Sequence, residues 1–158
     1  MSVRSRSFIR FERPGPERLS EVANLRWDWV VRNGHEARAT RSRFAQEFLR
    51  WCEDHQSSHL CVVGVDGDDD VVAFGFVALT PRVPAPNLGG RRSADVQAVF
   101  VRPDLRNVGI GGRLIDQLVS LAREQGAEHV TVHSSSGAVT AYQRAGFKHD
   151  PLMLNQVL

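Results

Sequence analysis

Three glycines, Gly109, Gly111 and Gly112, open an apolar periodic run directly after a β-rich one. That junction limits the chain more than any other feature. From Gly109 onward, Ile110, Leu114, Ile115, Leu118, Leu121 and Ala122 recur at helical spacing until Gly126, which predicts a helix with one apolar face. Ala94 to Val101 has strand character and Pro103 ends it. A second strand, Glu128 to His133, follows the helix, so strand, helix and strand form a crossover unit that predicts a parallel pair.

The loop Arg102-Pro-Asp-Leu-Arg106-Asn107-Val108-Gly109-Ile110-Gly111-Gly112 has the chemistry of an anion site. The first turn of a helix carries N–H groups without partners and a partial positive charge, and glycines remove the side chains that would keep a phosphate at a distance. Asn107 tolerates left-handed dihedrals, and Arg106 can add a charge-assisted contact.

Three phosphate motifs compete for this loop. A P-loop needs a lysine after its last glycine, whereas the basic residues are nineteen arginines and one lysine, Lys148. A dinucleotide fingerprint needs a third glycine where Leu114 stands, and normally follows the first strand of its chain. The pattern Arg/Gln-x-x-Gly-x-Gly/Ala at a helix start is met by Arg106-Asn-Val-Gly109-Ile-Gly111.

The rest of the chain predicts a frame around this unit. Ser7 to Phe11 reads as a first strand. Gly15-Pro16-Glu17 starts a helix with Leu19, Val22, Ala23, Leu25, Trp29 and Val30 on its apolar positions, stopped by Asn33-Gly34. A second helix runs from about Thr40 to His55. His59 to Val65 and Val71 to Leu79 flank Asp66-Gly67 and should pair as a hairpin. Pro81 to Ser93, with three prolines and two glycines, reads as a loop. Ser136 to Ala145 predicts a short helix closed by Gly146, and Phe147 to Leu158 one or two terminal strands. The expected order is β-α-α-β-β-β-α-β-α-β, an α/β fold with a mixed sheet flanked by about four helices, in one domain over residues 1–158.

Apolar residues at 42% and charged residues at 24% exclude disorder. The longest apolar run is strand-sized and no signal-like stretch follows Met1, which points to a soluble, cytoplasmic protein with no membrane role. Arginines are scattered and nearly balanced by acids, so no nucleic-acid partner is expected. Cys52 and Cys61 read as reduced buried thiols, Asp66-Gly-Asp-Asp-Asp70 as a solvated turn, and His129 with His133 lacks the partners of a metal set, so no metal is expected.

Val99-Phe-Val101-Arg-Pro103, the Arg106 to Gly111 loop, and Ala138-Val-Thr-Ala-Tyr142-Gln-Arg-Ala-Gly146-Phe147 together resemble the GNAT family of acyl-CoA-dependent N-acetyltransferases, over about Val96 to Phe147. The resemblance implies acetyl-CoA as co-substrate, with its pyrophosphate on Val108, Gly109, Ile110, Gly111 and Gly112, Arg106 and Asn107 beside it, and its pantetheine arm along Val99, Phe100 and Val101. It implies a small-molecule amine as acceptor, attacking the thioester directly, and suggests a homodimer. Tyr142 takes the family's tyrosine position, suited to protonating the departing sulfur. Gln97 stands where many members carry a glutamate base, leaving Asp95, two residues earlier on the same face, as the nearest ionisable substitute. His35, Glu36 or a water chain are alternatives for the base. Trp27, Trp29, His35 and Glu36 cluster at the end of the first helix, where the family forms its acceptor pocket, and Gln97 is a further candidate for it, with core packing the expected role of the two tryptophans. Ser135 replaces an asparagine that often touches the cofactor arm. A CoA-binding sensor without turnover and a polypeptide acetyltransferase remain the rival readings.

Overall fold

The structure is a computed structural model and describes residues 8–158. Five strands form one sheet in sequence order: β1 (Arg10–Glu12), β2 (His59–Val65), β3 (Val71–Pro81), β4 (Arg92–Val101) and β5 (Ala127–Val132). β1 to β4 are antiparallel neighbours, and β5 joins β4 in parallel. Four helices, α1 (Pro16–Arg32), α2 (Arg41–Asp54), α3 (Ile110–Glu124) and α4 (Val139–Arg144), cover it. The predicted first strand thus starts later, at Arg10, and its expected beginning at Ser7 lies outside the described residues.

Local chemistry accounts for the helix ends. Pro16 begins α1 where a missing N–H costs nothing, and the Thr40 hydroxyl accepts a hydrogen bond from the Arg43 N–H at 3.2 Å at the start of α2. At the β2–β3 turn the Asp66 carboxylate accepts the N–H groups of Asp68 and Asp70 at 3.0 and 3.1 Å and is buried, where the sequence suggests a solvated turn.

The sheet is packed on both faces, which explains its nearly continuous apolar strands. On one face α3 and α4 meet Leu60, Val62, Val77, Ala94 and Val96 through Leu114, Leu118, Ala122 and Tyr142. On the other, Val22 of α1 and Cys52 of α2 meet Cys61, Val63, Phe74, Phe76 and Phe100. Gly75 of β3 lets α3 come close: a Cβ there would stand 2.6 Å from Leu118 Cδ1. Both cysteines are buried and free, as their apolar settings predict.

Two expectations about the sheet do not hold. No strand forms between Phe147 and Leu158; that segment has turns and irregular backbone, with Leu152, Leu154, Val157 and Leu158 exposed, so apolar content there did not translate into pairing. For the same reason the β4-α3-β5 crossover lies at one end of the described sheet rather than at its centre.

Candidate active site

β4 and β5 pair only from Arg92 to Val96, the last rungs being Asp95 with Thr131 and Val96 with Val132. Beyond them β4 continues to Val101 while the chain after Val132 leaves the sheet. The departure has a local cause in β4. Ala98 takes a left-handed φ of 53°, and four β4 residues from Gln97 to Phe100 answer three on β3 from Phe74 to Phe76, which is a β-bulge. A non-glycine residue held left-handed costs about 1–3 kcal/mol, a strain typical of sites where backbone must be re-aimed.

The bulge leaves a free strand edge. The Arg102 N–H donates to the Val72 carbonyl at 2.9 Å, so the antiparallel alternation turns Phe100 toward β3 and points the polar groups of Val99 and Val101 the other way, into the gap. One of these is already engaged: Arg106 Nε donates to the Val101 carbonyl at 2.9 Å, with its guanidinium 5.7 Å above the Phe100 ring. The Arg106 side chain therefore lies back against β4, while its backbone enters the loop.

The loop then builds a main-chain cradle. Asn107 has φ 63° and Gly109 φ 85°, two left-handed residues around the exposed Val108, and such alternation turns successive N–H groups toward one concavity. Gly109 caps α3 without any side-chain hydrogen bond, and the Arg113 N–H makes the bond to the Gly109 carbonyl at 3.2 Å. The N–H groups of Ile110, Gly111 and Gly112 thus face outward with no acceptor in their own helix. Gly111 has only Val101 Cγ2 within reach of an added Cβ, at 3.7 Å, and Gly112 has nothing.

Cradle and free edge open into one cleft of about 890 Å³, lined by Val99, Phe100, Val101, Arg106, Asn107, Gly109, Gly111, Gly112 and Ser135 among others. Every one of these was a candidate from sequence. Ile110 is instead buried in the core, and only its backbone serves the cradle. Trp29, expected mainly in the core, also lines the cleft, and Asp116 and Arg144 line it with no signal in the sequence. Trp29 packs on Phe100 at 5.7 Å, a pairing across α1 and β4 with no signature in sequence.

The ionisable candidates stand beside the last β4–β5 rungs, outside the lining of this cleft. Asp95 is half-buried and holds hydrogen bonds on both oxygens: Thr131 Oγ1 donates to Oδ1 at 2.9 Å and Gln97 Nε2 to Oδ2 at 3.0 Å. Tyr142 comes from the opposite face, packed edge-on against Phe147 at 5.3 Å, and lines a separate cavity of about 810 Å³ with Thr131, Val132 and His133. Burial, and then the negative charge of Asp95, push its phenol above the ordinary tyrosine value, so it stays protonated at neutral pH.

The α1–α2 candidates lie elsewhere. Trp27 packs against Phe44 of α2 at 6.0 Å, and His35 and Glu36 are exposed on the connecting loop; none of the three lines this cleft. Gln97 is exposed beside Asp95. Among the described residues, no helix is long and apolar enough to cross a membrane.

Comparison with known proteins bears on the fold and on the family. Residues 87–152 match the acetyltransferase (GNAT) domain. An uncharacterized N-acetyltransferase of Methanocaldococcus jannaschii is 28% identical over 111 residues, 68% of this chain and 47% of that one. A glucosamine 6-phosphate N-acetyltransferase of Trypanosoma brucei brucei is 33% identical over 60 residues, 38% of this chain and 41% of that one. The chain thus matches less than half the length of these curated relatives. Among solved structures, a predicted acetyltransferase of Clostridium acetobutylicum with acetyl-CoA superposes with a TM-score of 0.75 at 16% identity, covering 95% of this chain and 96% of that one. Glucosamine-6-phosphate N-acetyltransferase from Arabidopsis thaliana superposes with a TM-score of 0.72 at 14% identity, over 96% and 99% of the two chains.

Proposed function

We propose that the chain is an acetyltransferase of the GNAT family, whose domain its residues 87–152 match, and that it transfers an acetyl group from acetyl-CoA to a primary amine of a small molecule, by direct attack of the amine on the thioester. The observation that carries this reading is the union of a bare main-chain cradle and an unpaired strand edge in a single cleft. A diphosphate suits the cradle, because outward N–H groups and a helix N-terminus favour anions and no Cβ blocks approach. An extended amide-bearing arm suits the edge of β4, where main-chain groups give affinity independent of side chains.

The chemistry assigns roles to the two groups beside the last β4–β5 rungs. An alkyl amine is about one-thousandth neutral at pH 7, so attack needs a proton acceptor. Asp95 takes that role: its carboxylate accepts the proton as the nitrogen bonds to the carbonyl carbon. Tyr142 supplies a proton to the sulfur as the carbon–sulfur bond breaks, and its raised pKa keeps that proton in place until the thiolate develops. A backbone N–H of β4 facing the gap is placed to stabilise the oxyanion.

The test is release of free CoA thiol from acetyl-CoA in the presence of a panel of small amines, amino sugars and peptides. Turnover with a small amine, reduced roughly 100-fold in Tyr142→Phe, is the expected result. Binding of acetyl-CoA without turnover on any member of the panel would instead make the protein a sensor, and turnover confined to peptides would move the acceptor to polypeptides.

A further inference from the structure

We infer that Thr131 of β5 is a positioning residue for the proton acceptor: its hydroxyl fixes the Asp95 carboxylate at the mouth of the β4–β5 split. This rests on the proposed role of Asp95. Thr131 faces Asp95 across the second-to-last rung of the parallel pair, and one rung later the strands part. Backbone pairing therefore ends just where a carboxylate must be held still, and the side-chain bond of 2.9 Å takes over that task.

The bond is specific to one oxygen. A hydroxyl has one proton to donate, and the Ala94 carbonyl, at 3.4 Å, is the poorer of the two acceptors within reach of Thr131. Gln97 holds the second oxygen from the same strand, but it is exposed, whereas Thr131 is half-buried and reaches from the neighbouring strand. Of the two donors, Thr131 is the one that ties the carboxylate to both walls of the split. Its loss leaves Asp95 held on one side only, free to rotate away from the amine, and misplacement by about 1 Å is enough to slow a proton transfer by about 100-fold.

Thr131→Val keeps the shape and the β preference of the residue and removes the donor, while Thr131→Ser keeps the donor. The expected pattern is a fall in kcat of about tenfold or more in Thr131→Val, with the Kd for acetyl-CoA and the Tm near wild type, and recovery in Thr131→Ser. In an Asp95→Asn background, Thr131→Val should have no further effect, because the two residues act as one unit. A direct readout needs no turnover: side-chain NMR couplings should place Asp95 in one χ1 rotamer in the wild type and in several in Thr131→Val.

A single Asp95 rotamer in Thr131→Val overturns the inference, as does wild-type kcat in that variant while Asp95→Asn is inactive. An equal slowing of the wild type and Asp95→Asn by Thr131→Val would make the residue merely structural and overturn it too. If Asp95→Asn itself turns over normally, the assignment of Asp95 as proton acceptor fails, and this inference falls with it.

Discussion

The cleft and the β4–β5 rungs beside it are built from different materials. The cofactor side is main chain: a bulged strand edge at Val99 and Val101, two left-handed residues, and helix N–H groups laid bare by Gly109, Gly111 and Gly112. The proposed acceptor side, at the last β4–β5 rungs, is side chain: Asp95 held by Thr131 and Gln97, with Tyr142 on the opposite face of the sheet. Backbone sites need glycines at fixed spacing, so they leave a mark in sequence and tolerate almost any neighbour. Side-chain sites depend on which strands pair in which register, so they can change residue by residue on one frame.

That contrast predicts which substitutions should affect which quantity. The largest effect belongs to the acceptor side. Asp95→Asn should lower kcat by about 100- to 10,000-fold while calorimetry finds the same Kd for acetyl-CoA. Loss of cofactor affinity in that variant would break the division between the two sides.

A smaller effect belongs to the frame beneath both. Gly75→Ala forces Leu118, which is fully buried, off β3, and denaturant unfolding should register a loss of about 1–3 kcal/mol. Gly112→Ala meets open space, and it should leave the unfolding free energy unchanged or raise it by about 0.5–1 kcal/mol as the helix gains a better former.

The smallest effect tests the layer under α1 and α2. Burial pushes the Cys52 thiol up to about 11 and the Cys61 thiol upward as well. The unfolded chain releases these protons near pH 8.5, about where a free thiol ionises. Their contribution to stability is therefore complete below that pH and is lost as pH rises toward 11. Thermal unfolding of Cys61→Ala should start from a lower Tm but fall less steeply over that range than the wild type.

The same contrast explains what could be read in advance. Gly109, Gly111 and Asn107 announced the cradle, because a left-handed φ or a missing Cβ is a demand that few residues meet. The helix and strand order through α4 was legible from apolar spacing and from Pro16, Thr40 and Gly126. Thr131 was not legible, since its role exists only once β5 pairs with β4 in a particular register. Trp29 was legible only in part: its apolar spacing on α1 reads as core, and it does pack on Phe100, yet it also lines the cleft. Trp27, named for an acceptor pocket, packs on Phe44 inside the α1–α2 layer, and His35 and Glu36 stand exposed on the loop after α1, because spacing in sequence does not fix which way a loop turns. The terminal strands failed because apolar residues between 147 and 158 show a tendency to pair, while pairing itself needs a partner edge.

The central claim is that a main-chain cradle at the start of α3 binds the diphosphate of acetyl-CoA, and calorimetric titration of acetyl-CoA into the wild type and Gly111→Leu tests it most directly. A Cβ at Gly111 makes only an ordinary contact with Val101, so the variant should fold with a Tm near that of the wild type. The account predicts measurable heat for the wild type and binding at least about tenfold weaker, or absent, for the variant, whose side chain fills the space of the phosphates. Wild-type affinity in Gly111→Leu, or no heat from the wild type at millimolar acetyl-CoA, would contradict it.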